Sequence, residues 1–232
     1  VLAKPGQPIE IREFPITPPG RNFLLVKIRR GNICGSDLHM LRGDAFGGMD
    51  LPFSFVMGHE MMGEVAAIGE GRERDFRGES LKVGDPVTFT YFRGCGTCSV
   101  CAHGREHACV YSLISVVSDC SEAPHFFGGF GEYYYVRPGQ KVFKVPDGTP
   151  DYLVAGCNCA LAQVIHGLTS VEVKYGDQVV IQGAGGLGLF ATAVAKRMGA
   201  GKVIVIDGVK VRLDLAKEFG AAAQIGSTIV IE

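Results

Sequence analysis

The residues Gly183-Ala184-Gly185-Gly186-Leu187-Gly188 stand where one apolar run ends and a helical pattern begins, and they constrain the fold more than any other stretch. Gln178 to Gln182 and Lys202 to Asp207 read as buried parallel strands. Between them, Leu187 to Met198 carries apolar residues at 187, 190, 191, 194, 195 and 198, which is one face of a helix. This is a βαβ unit with G-x-G-x-x-G at its first turn. The first glycine permits the tight turn, the second lets a pyrophosphate approach the backbone, and the third allows close helix–strand packing. The helix N-terminus adds free N–H groups and partial positive charge. Asp207 ends the next strand at about the 20-residue spacing of an acid that accepts a ribose diol. Gly183, Gly185, Gly186, Leu187, Gly188 and Asp207 are therefore expected to hold NAD, with Asp207 repelling a 2′-phosphate. Arg212, five residues on, can bind ribose or restore some affinity for that phosphate. A second helix over about Lys210 to Phe219 stops at Gly220.

Charge and cysteine use narrow the function. With 23 basic and 24 acidic residues the net charge is −1, no broad field for nucleic acid or an anionic membrane, so a small-molecule partner is expected. The stretch Val179 to Ala195 reads as the longest weakly polar one, and Gln182 and its glycines interrupt it, so no membrane span is expected. The start, Val1-Leu2-Ala3-Lys4-Pro5-Gly6, has no apolar signal core, which gives a cytoplasmic, reducing location as the expectation; it also lacks Met, so leading residues are expected to be missing. In that compartment eight cysteines point to metal or chemistry rather than disulfides.

From Ile9 to about Lys144 short alternating runs are punctuated by Gly and Pro: Leu24 to Ile28, Pro86 to Tyr91, Tyr133 to Val136. This reads as mostly antiparallel β with long loops. The expected organisation is α/β: a mostly antiparallel β domain over residues 1–150 with a four-cysteine lobe at 93–110, then a dinucleotide-binding domain over 151–232. In the lobe, Cys95, Cys98, Cys101 and Cys109 form C-x2-C-x2-C-x7-C, and four thiolates at such spacing can surround one tetrahedral Zn²⁺ that organises a loop with little apolar surface. An iron–sulfur run would place its fourth cysteine three residues on with Pro after it. Here seven intervene and Val110 follows. A redox C-x-x-C needs no third and fourth thiol, and a nucleic-acid ribbon would want more basic neighbours than Arg93 and Arg105. The lobe is read as structural, with His103 and His107 solvated.

A second set comprises Cys34, His59, Glu60 and Cys159 on separate segments. Singly, each has a plain explanation as a small buried thiol or a satisfied loop histidine. Together, two thiolates and a neutral imidazole would balance Zn²⁺ and leave a position open for a substrate oxygen, the catalytic arrangement.

Ile33-Cys34-Gly35-Ser36-Asp37-Leu38-His39, Gly58-His59-Glu60-x2-Gly63-x5-Gly69, the Cys95 to Cys109 lobe, Gly128-Gly129-Phe130-Gly131-Glu132-Tyr133 and Gly183 to Gly188 occur in that order. In these motifs the chain resembles the zinc-dependent medium-chain alcohol and polyol dehydrogenases over essentially its whole length. The resemblance implies a GroES-like catalytic domain followed by a Rossmann domain, one catalytic and one structural Zn²⁺, NAD, and a homodimer or homotetramer acting on an alcohol or polyol. It makes Cys34, His59 and Cys159 the catalytic zinc ligands, with Glu60 an occasional fourth and Asp37 the acceptor for the other nitrogen of His59. Counting back from Gly176-Asp177 places the third ligand at Cys159 and leaves Cys157 a spare thiol. A cysteine there leans toward alcohol rather than polyol or threonine dehydrogenases, whereas His166 is similar to the polyol branch. Hydride would pass from the alcohol to the nicotinamide while Ser36 hands the proton through the cofactor ribose to His39.

The chain departs from that pattern in places. Arg72 replaces a small or aliphatic residue, and Arg72 to Ser80 is expected to form an inserted surface loop. Gln163 replaces a Thr beside the nicotinamide, and Tyr91, Met40, Phe46 and Met49 are candidate apolar pocket walls. Only the first half of the nucleotide fold is expected within residues 151–232, with Ile229 to Glu232 a strand and residues lost around Ser227. The alternative is a nucleotide-binding, zinc-stabilised sensor or structural protein without catalysis.

Overall fold

The computed structural model describes residues 1–45 and 51–226, with the side chains of 113 and 114 excepted. Phe46, Met49, Ser227 and Ile229 to Glu232 therefore lie outside the described residues. The chain forms two compact units, Val1–Asn158 and Cys159–Glu232.

The first unit contains strands β1 (Leu24–Asn32), β2 (Glu60–Ile68), β3 (Pro86–Phe89), β4 (Tyr133–Val136) and β5 (Val142–Lys144). They form an antiparallel sheet in the order β4-β1-β2-β3-β5. Leu24, Val26, Met61, Val65, Val87, Phe89, Tyr134, Val136 and Val142 supply its core. Short helices occupy the connections: α1 (Gly35–Arg42), α2 (Ser99–Ala102), α3 (Val110–Ile114) and α4 (Asp151–Val154). β1 runs beyond the expected Ile28 because its charged end is paired too, Asn32 facing Glu60 of β2. That register sets the residue before β2, His59, close to the residues that follow β1.

The segment Arg72 to Ser80 is more than a surface loop. Asp75, with a fully buried side chain, accepts the N–H groups of Arg77, Glu79 and Lys144 at 2.8, 2.9 and 3.1 Å. Arg72, half-buried, donates to the Gln140 carbonyl, and Leu81 enters the core. The insertion is tied down because one carboxylate can satisfy three backbone donors.

In the second unit α5 (Ala162–Ser170), β6 (Gln178–Gln182), α6 (Gly186–Arg197), β7 (Lys202–Asp207), α7 (Lys210–Glu218) and β8 (Ala223–Gly226) build a parallel sheet ordered β6-β7-β8. Ala184, Ala195, Ala200, Val203, Val205, Leu213 and Ala216 are its core. β7 alternates buried positions as a central strand should. β6, expected to be buried, exposes Gln178, Val180 and Gln182, which alternate along the strand and so share one face of the sheet.

The expectation that Val179 to Ala195 is the longest weakly polar stretch needs correction. The helical run Asp151–Ser170, 20 residues with a mean hydropathy of 1.2, is long and apolar enough to cross a membrane by length and composition alone. Its first turn belongs to the fold of the first unit: Val154 and Ala155 pack with Met62 and Val145, and Asp151 pairs with Arg29 at 3.0 Å.

Candidate active site

Cys34 lies two residues beyond β1, at the N-cap of α1. The carboxylate of Asp37, three residues on and 2% exposed, accepts the Cys34 N–H at 2.8 Å through Oδ2. Its Oδ1 lies 3.2 Å from Nδ1 of His59, itself buried. An acceptor at Nδ1 assigns the proton to that nitrogen and leaves Nε2 the basic one, the tautomer a metal ligand requires. Gly58 presents the histidine: its φ is +90°, and a Cβ there would meet the Phe130 ring at 2.5 Å. Tyr91 packs edge-on against the imidazole, ring centres 4.8 Å apart. Within this unit one donor atom each from Cys34, His59 and Glu60 lies within 4.8 Å of the others. Ser36 Oγ stands 3.4 Å from His59 Nε2, while His39 sits on the exposed side of α1 with Nδ1 3.0 Å from Asp44.

The side-chain amide of Asn158, the last residue of this unit, donates to the carbonyls of His59 and Phe89 at 3.0 Å each. Cys159 follows by one peptide bond, its α-carbon about 3.8 Å further along, and opens the second unit, where it is buried and Gln163 Nε2 donates to its sulfur at 3.4 Å. The Cys157 thiol instead donates to the Leu153 carbonyl at 3.0 Å, and burial raises its pKa. His166 lies exposed on α5. Met40 packs against Leu2, Phe55, Met57 and Val117 as part of an apolar cluster.

In the lobe, the sulfurs of Cys95, Cys98, Cys101 and Cys109 lie within 4.8 Å of one another. Cys95 and Cys101 are 3.9 Å apart, Cys98 and Cys109 3.8 Å, far beyond the length of a disulfide. Hydrogen bonds from the Thr97 hydroxyl and N–H and from the Cys98 N–H bring the Cys95 thiol down to about 6. At Cys101 the Gly96 N–H pulls downward, but desolvation and the sulfurs of Cys98, Cys109 and Cys95 push it up to about 12. Four thiols this close cannot all ionise unless a cation joins them, so the donor set fits a tetrahedral divalent metal. His103 bonds the Ser99 carbonyl at 2.6 Å and His107 is exposed; neither joins the donor group among the described residues.

At the nucleotide loop Gly183 has φ +93°, and a Cβ on Gly188 would sit 1.8 Å from the Gly183 carbonyl, so both positions require glycine. Ideal Cβ atoms on Gly185 and Gly186 meet nothing within 4 Å, open space at the N-terminus of α6 that fits an approaching pyrophosphate. Leu187 is half-exposed beside them. Asp207 is almost fully buried, with Oδ2 accepting the Ala184 N–H and Oδ1 the Val209 N–H, each at 2.7 Å. Those two N–H groups hold its pKa below the usual carboxylate value. Arg212 Nη1 lies 4.0 Å away. Asp207 thus clamps the glycine loop itself, a role its spacing does not disclose.

Paired zinc-type donor sets on a GroES-like sheet, together with a glycine-loop βαβ unit, define a class of dehydrogenases. Residues 20–147 match the alcohol dehydrogenase GroES-like domain and residues 186–229 the zinc-binding dehydrogenase model. The chain belongs to the zinc-binding alcohol dehydrogenase family. It is 36% identical over 222 residues to an L-threonine 3-dehydrogenase of Deinococcus radiodurans, covering 96% of this chain and 59% of that protein. An L-threonine 3-dehydrogenase of Vibrio cholerae is 35% identical, with 96% and 60% covered. The chain spans about 60% of the length of these curated relatives. Among solved structures, an alcohol dehydrogenase from Thermotoga maritima superposes with a TM-score of 0.87 at 33% identity, over 97% of this chain and 62% of that one. An E. coli alcohol dehydrogenase complexed with NADH gives 0.79 at 31% identity, over 98% and 61%.

Proposed function

We propose that this chain carries the machinery of an NAD-dependent zinc alcohol dehydrogenase, which interconverts an alcohol or polyol and the corresponding aldehyde or ketone. The observation that carries the reading is the Cys34–Asp37–His59 arrangement, in which one buried carboxylate secures two metal-type donors at once. Cys34, His59 and Cys159 would hold the catalytic zinc, with Glu60 a further donor; Cys95, Cys98, Cys101 and Cys109 would hold the structural one. When bound, zinc supplies Lewis acidity toward the alcohol oxygen and NAD accepts the hydride. Asp37 fixes the tautomer and tilt of His59. Asn158 ties the backbone entering Cys159 to the His59 carbonyl. Ser36 Oγ, beside the imidazole, accepts the alcohol proton and passes it toward His39. Gly183 to Gly188 would bind the pyrophosphate and Asp207, assisted by Arg212, the adenosine ribose.

The names of the relatives support a small hydroxylated substrate; Cys159 supports a simple alcohol, and the L-threonine 3-dehydrogenase relatives support a hydroxy amino acid. Eight cysteines with no disulfide among them support a cytoplasmic, reducing location, and family resemblance supports a homodimer or homotetramer. The test is NAD reduction by the zinc-loaded protein with a panel of primary and secondary alcohols, diols and L-threonine. Turnover abolished by Cys34→Ser supports the reading, and NAD binding without turnover on any of the panel favours a non-catalytic role.

A further inference from the structure

Away from the Cys34–His59 site, Arg93, Gly94, Cys95, Tyr111, Ser115 and Arg137 line a half-open cavity of about 360 Å³. Among the described residues the lining holds two guanidinium groups and no carboxylate. Arg137 is 8% exposed, yet its partners are neutral. Nη1 donates to the Ser115 carbonyl at 3.2 Å, Nη2 to the Ser118 hydroxyl at 2.5 Å, and the guanidinium carbon lies 3.7 Å over the Phe127 ring. Its Nε is buried without a hydrogen-bond partner. Burial lowers its pKa, Tyr134 offsets part of that, and the positive charge of Arg93 adds to the lowering. Arg93 itself donates from Nη1 to the Pro138 carbonyl at 3.4 Å. Glu106, whose Cβ lies beside Gly94, is engaged by Lys141 at 3.1 Å. A buried cation without an anionic partner is costly, and a second cation on the same cavity raises the cost.

We propose that this cavity binds a phosphate-type dianion, as inorganic phosphate or as the phosphate monoester of a small molecule. The exposed Arg93 guanidinium fork matches the paired oxygens of such a group, and the Arg137 charge lies on the same cavity. The Tyr111 hydroxyl, on an exposed side chain of the lining, adds a neutral donor. The volume lies within the range of small-molecule sites and leaves room for the organic part of an ester. The rival role for the arginines is to offset the two net negative charges of a tetrathiolate zinc, since Cys95 borders the same space.

The test is calorimetric titration of the zinc-loaded full chain with inorganic phosphate and, separately, with glycerol phosphate in chloride buffer. One saturable site per chain is expected. Arg93→Ala should weaken it at least about tenfold, the loss of one charge-assisted hydrogen bond. Arg93→Lys, which keeps the charge but not the fork, should weaken it less, and Arg29→Ala should leave it unchanged. Tighter binding of glycerol phosphate than of phosphate identifies the monoester as the ligand, and equal binding the free ion. No saturable binding to the wild type overturns the proposal, as does unaltered affinity in Arg93→Ala. Should Arg93→Ala fail to fold, unaltered affinity in Arg93→Lys overturns it. Loss of lobe zinc with phosphate affinity unaltered also overturns it, and assigns the arginines to the metal.

Discussion

Replacing Asp37 by Asn keeps the shape of a buried side chain while removing one of its two acceptors. The carboxylate serves the Cys34 N–H at 2.8 Å with one oxygen and the His59 Nδ1 at 3.2 Å with the other. An amide offers a single oxygen, so either the Cys34 N–H faces an NH₂ group or His59 must shift its proton to Nε2, where it blocks metal ligation. The first outcome leaves a buried donor unsatisfied and costs about 1–3 kcal/mol of stability. The second weakens metal binding by about 10–100-fold, the usual effect of losing the partner of a ligand histidine. Because the substitution is nearly isosteric, no cavity contributes. Urea unfolding of the metal-free chain reads the first quantity and zinc competition with a chromophoric chelator reads the second. Asp44→Asn, at an exposed His39 pair, is the control and should change stability by less than about 1 kcal/mol. An Asp37→Asn chain with wild-type stability and wild-type affinity at the Cys34 site would refute the reasoning.

Asp207→Gly should narrow a preference for NAD over NADP, read as the ratio of kcat/KM values; equal use of both cofactors by the wild type would defeat the assignment. Gly188→Ala places a Cβ 1.8 Å from the Gly183 carbonyl, so it should lower the thermal midpoint and abolish NAD binding by fluorescence titration; wild-type behaviour in both would contradict the packing argument. Acid should destabilise the fold through Asp75 and Asp85. At Asp75, desolvation raises the pKa but the Lys144, Glu79 and Arg77 N–H groups outweigh it, and at Asp85 desolvation is outweighed by the Lys144 ammonium and the Lys82 N–H. A folded value below the unfolded one, about 3.9, gives stability that is present above that pH and lost as pH falls through the folded value. Urea midpoints should therefore drop below about pH 4, and Asp75→Asn should make that drop shallower; parallel curves would exclude Asp75 as a contributor.

The nucleotide unit was legible because its signals are local: β6 and β7 are apolar runs bounded by Gly183 and Asp207, and a left-handed Gly220 follows α7. The Cys34, His59 and Glu60 donors are legible as a set of residue types, since thiol and imidazole at turns have few other uses in combination. Features that depend on distant pairing were not. Arg29 and Arg30 hide the polar end of β1, whose pairing with Glu60 appears only once β2 is in place. Asp75 reads as one more charge in a polar loop, although three backbone donors from two segments converge on it. Cys120 carries no motif and proves to be fully buried, its pKa raised by that burial. Arg93 and Arg137 lie 44 residues apart, and nothing in the chain order predicts that they share a cavity.

The account rests on two separable zinc sites, and the metal content of three purified chains tests it most directly. Inductively coupled plasma mass spectrometry of the fully metallated wild type should find two zinc ions per chain. Cys98→Ser should retain one and unfold at lower urea, because the lobe loses its organising metal. Cys34→Ser should also retain one but keep most of its stability. A single zinc in the fully metallated wild type, or two in either variant, would contradict the two-site reading.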